Sequence, residues 1–301
     1  MVASIGYVGS RSVRDFAFRN INTGEIPGAD VNGQPLYVKF GRTASTRLWD
    51  GMLGSNYHSM QVSLNRRMTS GLLLKGAYTW SHAIDMADYT DWTQPRWMSN
   101  LGWGRNRANA TYNQPQVLQL AYAYEFPFGS GKKWLANGAG KAVLGGWQLN
   151  GIFSAFQGRY FTLSASGSSL GMPEPDHGQQ TPDQVGPLVY TGCVGSDPGC
   201  RFFDISSFRP VTDVRFGTVG RNTMRGPGVV NMDTSLFRTF KLTERFDLQF
   251  RAEAFNLSNT PHFNNPNGNA NSGNFGRVTS IQTAWGYGRS REFRFGLRVG
   301  F

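Results

Sequence analysis

Two cysteines are the residues of this sequence with the most distinctive chemistry. Cys193 and Cys200 lie in a stretch rich in glycine, proline and aspartate, and the 301 residues contain no other cysteine. A Cys-x6-Cys spacing permits a small disulfide-closed loop, which suits an oxidising compartment. Two free thiols in a reducing compartment are the alternative, and zinc is disfavoured because no histidine pair lies nearby. We predict a loop disulfide.

Other residues with catalytic or metal-binding side chains do not form a recognisable motif. Three aspartates near residue 88 lack the spacing of a calcium-binding loop, and the glycine-rich segment 126–133 lacks the first glycine and the final Ser or Thr of a phosphate loop. The histidines are also spaced unlike metal ligands. These residues are His58, His82, His177, His262, Asp85, Asp88 and Asp91. We therefore expect no enzyme, no cofactor and no metal site.

Six charged side chains occur in segments where apolar and polar residues alternate. In each segment they share the polar face, which in a membrane barrel would line a wet lumen. At such positions charges can contact a plug or a solute, or they can pair across strands and serve only the wall. The candidates are Lys75, Glu125, Arg251, Glu253, Arg294 and Arg298.

The elements that carry these side chains are strands. A period of two, with one apolar face, recurs at residues 3–7, 57–65, 72–81, 118–126, 147–154, 229–240, 246–254 and 293–301. The connections alternate in length, and the long ones cover 11–55, 82–113, 164–228 and 257–288. In an up-and-down barrel this alternation gathers all long loops at one rim and all short turns at the other, as in outer-membrane barrels. We predict an all-β, antiparallel transmembrane barrel region of about eight strands, forming a single domain over residues 1–301.

The last segment has the clearest alternation in the chain. Its apolar face ends on an aromatic residue and consists of Phe293, Phe295, Leu297, Val299 and Phe301.

Net charge is +11, but the basic residues are scattered, so we expect no nucleic-acid partner. No apolar run reaches the length of a membrane-spanning helix, and the first residues lack the pattern of a signal peptide.

Several motifs resemble one family in their order along the chain. They include Tyr-His-Ser-Met-Gln-Val-Ser-Leu at 57–64, Gly-Arg-Asn-Thr-Met-Arg-Gly-Pro-Gly at 220–228, Asp-Thr-Ser-Leu-Phe-Arg-Thr-Phe at 233–240, Leu-Gln-Phe-Arg-Ala-Glu-Ala-Phe-Asn at 248–256 and Phe-Gly-Arg-Val at 275–278. Together they resemble the C-terminal barrel of Oar-like TonB-dependent outer-membrane receptors. Members of that family carry a plug domain and further strands before this region.

The resemblance implies that the chain is the C-terminal part of a larger barrel, of about twenty-two strands. It also implies passage of a bulky, unidentified solute through a plugged barrel, with energy supplied by the TonB system through the N-terminal part. The outer-membrane bilayer would surround the wall. Barrel-assembly machinery would recognise the terminal strand, Phe293 to Phe301, as its signal.

Two other functions fit the sequence. Eight strands can close a small barrel, which would act as an adhesin or an anchor. A soluble β-rich hydrolase or carbohydrate-binding domain is the third hypothesis, although its strands would more often be joined by two-residue turns.

Overall fold

The structure, a computed structural model, describes residues 1–87, 95–173, 180–195, 197–282 and 290–301. It is dominated by eight long strands: β1 (Val2–Asn20), β2 (Arg47–Thr69), β3 (Leu72–Asp85), β4 (Gln116–Glu125), β5 (Trp147–Phe156), β6 (Val229–Lys241), β7 (Asp247–Phe255) and β8 (Glu292–Gly300). Each predicted strand corresponds to one of these.

The long strands form one sheet in which each strand pairs with its neighbours in the sequence. All seven pairings are antiparallel, from β1 with β2 to β7 with β8. The predicted antiparallel up-and-down order is confirmed. Within the described residues, β1 pairs only with β2 and β8 only with β7, so the sheet has two open edges.

The pairing register gives the sheet one apolar face and one polar face. Leu236 of β6 lies opposite Leu149 of β5 and Ala252 of β7, while the adjacent Ser235 lies opposite Asn150 and Glu253. Because side chains alternate along a strand, each face continues from one strand to the next. Outer-membrane barrels turn an apolar face of this kind toward lipid.

The first two strands are longer than predicted, so the bounds predicted for the first loop, 11–55, are wrong at both ends. β1 continues to Asn20 and β2 begins at Arg47. The alternation is obscured because the register shifts around Arg14, which has a positive φ of 59°. Beyond this bulge the hairpin is held by ring stacking between Phe16 and Trp49, whose centroids are 5.4 Å apart.

The short connections lie together at one rim, which we call the turn rim. β2 and β3 are joined through Ser70 and Gly71, which both have positive φ, as a tight hairpin requires. β6 and β7 are joined by residues 242–246, and the β4–β5 connection, 126–146, contains helix α2 (Gly138–Leu144). The long connections leave from the opposite rim, the loop rim. The first of them contains helix α1 (Pro35–Phe40).

The other three long connections pack together into what we call the cap, residues 95–115, 157–173, 180–195, 197–228 and 256–282. The sequence predicted 164–228 as one long loop without strands, but this segment contains short strands and turns. The cap contains the strand pairs Tyr160–Phe161 with Met224–Arg225 and Asp183–Gln184 with Phe208–Arg209. Ala108–Asn109 pairs with β3. Short 3-10 turns complete it, at Trp103–Asn106, Ser168–Leu170 and Ile205–Ser207, and a further one, Asp30–Gly33, precedes α1.

A hydrophobic core explains why the cap is ordered. Its buried members come from distant parts of the chain: Phe161, Leu163, Phe203, Phe208, Val219, Met224 and Phe275. Close backbone packing adds to it. A Cβ on Gly217 would collide with the carbonyl oxygen of Thr181, so this crossing requires glycine. Among the described residues, no helix has the length and apolar character needed to cross a membrane.

Candidate functional site

The six charged residues proposed from the sequence lie on the polar face of the sheet. Lys75 lies opposite Asn65 and Ala121. Arg294 lies opposite Glu253 across the β7–β8 pair. The same parity places Glu125, Arg251 and Arg298 on this face. The sheet therefore brings these charges onto one surface, away from the apolar face.

Some of these charges already have partners. Lys132 contacts Glu125 at 2.6 Å, and Arg294 contacts Glu292 at 2.7 Å. Such half-exposed pairs stabilise a protein by at most about 1 kcal/mol. Among the residues that the structure describes, Lys75 and Arg298 form no ion pair, so their charges are available on the polar face.

A cavity of about 290 Å³ is associated with this surface near its centre. Its lining includes Asn150, Asp233, Ser235 and Glu253, which offer amide, carboxylate and hydroxyl groups. The carboxylate of Asp233 accepts hydrogen bonds from Asn231 Nδ2 at 3.0 Å and from the backbone N–H of Asn256 at 2.8 Å. Groups of this kind hydrogen-bond polar solutes rather than apolar ones.

The apolar face of β8 is open. The relevant side chains are 55–98% exposed in the isolated chain, and they are Phe293, Phe295, Leu297, Val299 and Phe301. In water such a stripe would need to be covered. In the outer membrane lipid covers it.

Aromatic side chains mark the turn rim on the apolar side. Tyr124, Phe126, Phe128 and Trp134 form a chain of ring contacts with successive centroid distances of 5.8, 6.3 and 6.0 Å. Aromatic rings at such a level are typical of the girdle where a barrel meets the membrane interface.

A buried ion pair attaches the cap to the sheet. Arg221 Nη2 bonds the carboxylate of Asp85 at the end of β3 and donates to its carbonyl oxygen at 2.8 Å. Arg221 Nε donates to the Asn106 carbonyl at 2.8 Å. Both ionic side chains are nearly inaccessible, at 2% and 6% exposure. Arg221 therefore links β3 and two separate connections of the cap.

Arg105 makes the reciprocal link. Its Nη2 donates to the carbonyl oxygens of Gly217 at 2.7 Å and Val219 at 2.8 Å, and its guanidinium lies 4.5 Å from the centroid of the buried Trp97 ring. Arg96 lies on the same ring, at 5.7 Å. Burial, followed by repulsion from Arg105 and Arg221, lowers the pKa of Arg96 to about 10, so it remains charged at neutral pH.

A second ion pair lies nearer the surface of the cap. Arg215 donates to both carboxylate oxygens of Asp183, at 2.9 and 2.6 Å. These hydrogen bonds lower the pKa of Asp183 below its ordinary value of 3.8 and raise that of Arg215. Elsewhere in the cap, burial raises the pKa of the Tyr190 hydroxyl, which accepts a hydrogen bond from the Arg225 backbone N–H at 2.8 Å.

The two cysteines form a disulfide, with Cα atoms 5.5 Å apart. It closes a small loop at the edge of the cap. The backbone N–H of Cys193 also donates to Thr191 Oγ1 at 3.1 Å, so this loop has a defined start.

Two of the histidines lie closer together in the structure than their separate positions in the sequence suggested. His58 and His82 lie opposite each other on β2 and β3, with His58 Nδ1 2.5 Å from the Tyr7 hydroxyl. His262 is buried and contacts the Val230 carbonyl at 3.0 Å. Over the described part of the chain, no three potential metal ligands cluster. His177, Asp88 and Asp91 lie outside the described residues.

The residues that organise the cap were not singled out individually from the sequence. Arg96, Trp97 and Arg105 lie in an irregular segment without any period. Arg221 belongs to the family motif at 220–228, and this was the one available signal.

The comparison with family models identifies the class of fold. A family model described as "Outer membrane beta barrel domain" matches residues 1–294. The comparison with curated proteins gave no significant match.

Three solved outer-membrane structures are similar over 99% of this chain. Pseudomonas aeruginosa FpvA bound to heterologous pyoverdines is 10% identical, with a TM-score of 0.43. The ferripyoverdine receptor of the outer membrane of Pseudomonas aeruginosa, bound to ferripyoverdine, is 11% identical, with a TM-score of 0.42. The outer membrane transporter YddB from Escherichia coli is 8% identical, with a TM-score of 0.46.

The chain spans 24% of the length of each of the first two solved chains and 30% of the third. The family assignment rests on the family model, which covers nearly all of the 301 residues. The chain belongs to the outer membrane β-barrel domain family, and it is a protein of the outer membrane.

Proposed function

We propose that this chain forms part of the wall and the extracellular cap of a TonB-dependent transporter of the Oar-like group, through which a bulky solute passes without covalent change. The observation that carries the proposal is the packed cap at the loop rim, placed above a sheet whose polar face carries unpaired charges. Loops outside and short turns in the periplasm are the usual arrangement of outer-membrane barrels.

The open edges of the sheet support a larger barrel. An unpaired strand edge cannot face lipid because its backbone groups would have no hydrogen-bond partners there. Within the proposal, strands outside this chain pair with β1 and β8. The plug and the contact with the TonB system belong to the same missing portion, as the family resemblance implies, and the assembly machinery would recognise β8.

The polar face offers a route for the solute. Lys75 and Arg298 supply positive charge, and the cavity beside Asp233 and Glu253 supplies acceptors. A solute that carries hydroxyl, amide or charged groups fits this mixture of donors and acceptors. The cap would select the solute before it reaches the wall.

Uptake by intact cells tests the proposal. Cells that produce the full-length protein are compared with cells lacking its gene, and the loss of organic solutes from a defined medium is followed by mass spectrometry. We expect at least one solute to be depleted only when the protein is present and only without a protonophore. If no solute differs between the strains, the transport proposal is wrong.

A conservative double variant, Asp233→Asn with Glu253→Gln, connects uptake to the polar face. It preserves shape and removes two acceptor charges, so we expect slower depletion of the same solute. Glu244→Gln in the β6–β7 turn is the matched control and should leave the rate unchanged. Equal rates of solute depletion in the double variant and in the control would show that the cavity does not take part in transport.

A self-contained eight-strand barrel that acts as an adhesin is the second candidate. It requires β1 to pair with β8, which the described residues do not show. The two candidates therefore differ in one measurable contact.

A further inference from the structure

The β4–β5 connection at the turn rim has a distinctive composition, and it has no role in the transport proposal. Residues 126–146 contain Lys132, Lys133 and Lys141 but no aspartate or glutamate. They also expose large apolar side chains: Trp134 is 52% exposed, and Val143 of α2 is 63% exposed. Exposed apolar side chains and lysines together are typical of segments that lie in a membrane interface.

The structure fixes the position of α2 relative to the sheet. Trp147 Nε1 donates to the Val143 carbonyl at 3.0 Å, and Arg238 Nη1 donates to the same carbonyl at 2.5 Å. Arg238 Nη2 also donates to the Ala142 carbonyl. Arginine at the last carbonyls of a helix complements its negative end.

Both anchoring side chains belong to the lipid-facing side of the sheet. Trp147 and Arg238 lie opposite each other, and Arg238 is also opposite Phe250, within the row that includes Leu149 and Leu236. The Arg238 guanidinium lies 5.5 Å from the Trp147 ring centroid and 4.3 Å from that of Phe240. The C-terminal end of α2 is therefore held on the outside of the wall, at the level of the turn rim.

We propose that residues 132–144 form an interfacial anchor that binds anionic phospholipid headgroups of the periplasmic leaflet. The turn rim faces the periplasm in barrels of this kind. Trp134, Val143 and Leu144 enter the boundary between headgroups and acyl chains, and Lys133 and Lys141 contact lipid phosphates. Lys132 is paired with Glu125, but Lys133 and Lys141 form no ion pair among the described residues, and this free positive charge favours an anionic lipid. The proposal rests on the membrane location and does not depend on which solute passes.

Depth-dependent quenching in vesicles tests it directly. The full-length protein carries an environment-sensitive NBD fluorophore at Val143→Cys and is reconstituted in phosphatidylethanolamine and phosphatidylglycerol, with bromine on either lipid. The two cysteines of this chain, Cys193 and Cys200, are bonded to each other and do not react. Leu297→Cys on β8 is the lipid-exposed control, which also reports correct folding, and Glu244→Cys in the short turn is the water-exposed control.

We expect the Val143 probe to emit at shorter wavelength than the Glu244 probe and to be quenched by brominated lipid, as the Leu297 probe is. Brominated phosphatidylglycerol should quench it roughly twofold more than brominated phosphatidylethanolamine. This ratio should approach one in the Lys133→Gln, Lys141→Gln double variant. An unquenched Val143 probe beside a quenched Leu297 probe would overturn the anchor, and equal quenching by the two lipids in the parent would overturn the preference for anionic lipid.

Discussion

At the scale of single residues, a few arginines of the cap have a larger structural role than their number suggests. Arg221 bonds the Asp85 carboxylate at the end of β3 and the carbonyl oxygen of Asn106. Arg105 donates to the carbonyl oxygens of Gly217 and Val219. Each crosses between connections that are more than one hundred residues apart in sequence. Planar guanidinium groups suit this task because they donate several hydrogen bonds in fixed directions.

Arg221→Ala should loosen the cap. The substitution leaves the Asp85 carboxylate buried without its guanidinium, which costs about 3–5 kcal/mol for a buried pair. We expect faster amide exchange at 95–115 and 180–225, with the strands unchanged, measured by hydrogen–deuterium exchange on the full-length protein. Arg209→Ala is the control, since Arg209 is exposed in the same part of the cap. Equal exchange in both variants would show that the buried pair is not what holds the cap.

The Asp183–Arg215 pair predicts a pH dependence. The pKa of Asp183 is lowered in the folded state, so its contribution to stability is fully present above the unfolded value of about 4. It is lost as the pH falls through the folded pKa. We expect protection at 180–195 and 209–219 to decrease below about pH 4, after correction for intrinsic exchange rates.

Asp183→Asn should remove this acid-dependent step. Asp213→Asn should retain it, because the Asp213 side chain is 68% exposed and its carboxylate contacts the Arg215 guanidinium only at Nε, at 3.3 Å. A step that persists in Asp183→Asn would assign the pH dependence to another group.

These residue contacts could not be predicted from the sequence. Cys193 and Cys200 were found because their type and spacing are themselves informative. Arg96, Arg105 and Arg221 have no such pattern, since their partners are mainly backbone carbonyls that any sequence can supply.

At the scale of the element, the period of two located every long strand because membrane strands must bury one face in lipid. Strand ends were predicted less well. β1 and β2 extend beyond their predicted ends, because the bulge at Arg14 shifts the register there and obscures the alternation. The cap was missed for a related reason: Phe161, Phe203 and Phe275 form its core through contacts between distant segments, which leave no period in the sequence.

Two adjacent residues of β6 test the assignment of faces. Leu236→Arg would place a guanidinium in the lipid, which costs about 2–4 kcal/mol near the bilayer midplane. Ser235→Arg would place the same group on the polar face beside Glu253, where water and a carboxylate can solvate it. We expect Leu236→Arg to reduce the amount of assembled protein in the outer membrane and Ser235→Arg to leave it nearly unchanged, by heat-modifiable migration on gels. The reverse order would invert the face assignment.

At the scale of the whole molecule, the described strands form an open section of wall and not a closed barrel. The order from β1 to β8 is continuous, and the two outer strands have unpaired edges among the described residues. The cap covers the loop rim, and α2 is held against the outside of the wall at the turn rim. The two rims of the sheet therefore carry different structures.

Disulfide trapping between the two outer strands tests this account most directly. In the full-length protein, Ile5→Cys is combined with Phe295→Cys, Leu297→Cys or Val299→Cys, all on the apolar face, and oxidised in native membranes. Ile5→Cys with Val62→Cys is the positive control, since these residues are opposite each other in the β1–β2 pair. We expect a cross-link for the control and none between β1 and β8. An efficient β1–β8 cross-link would show a closed eight-strand barrel and contradict the larger transporter.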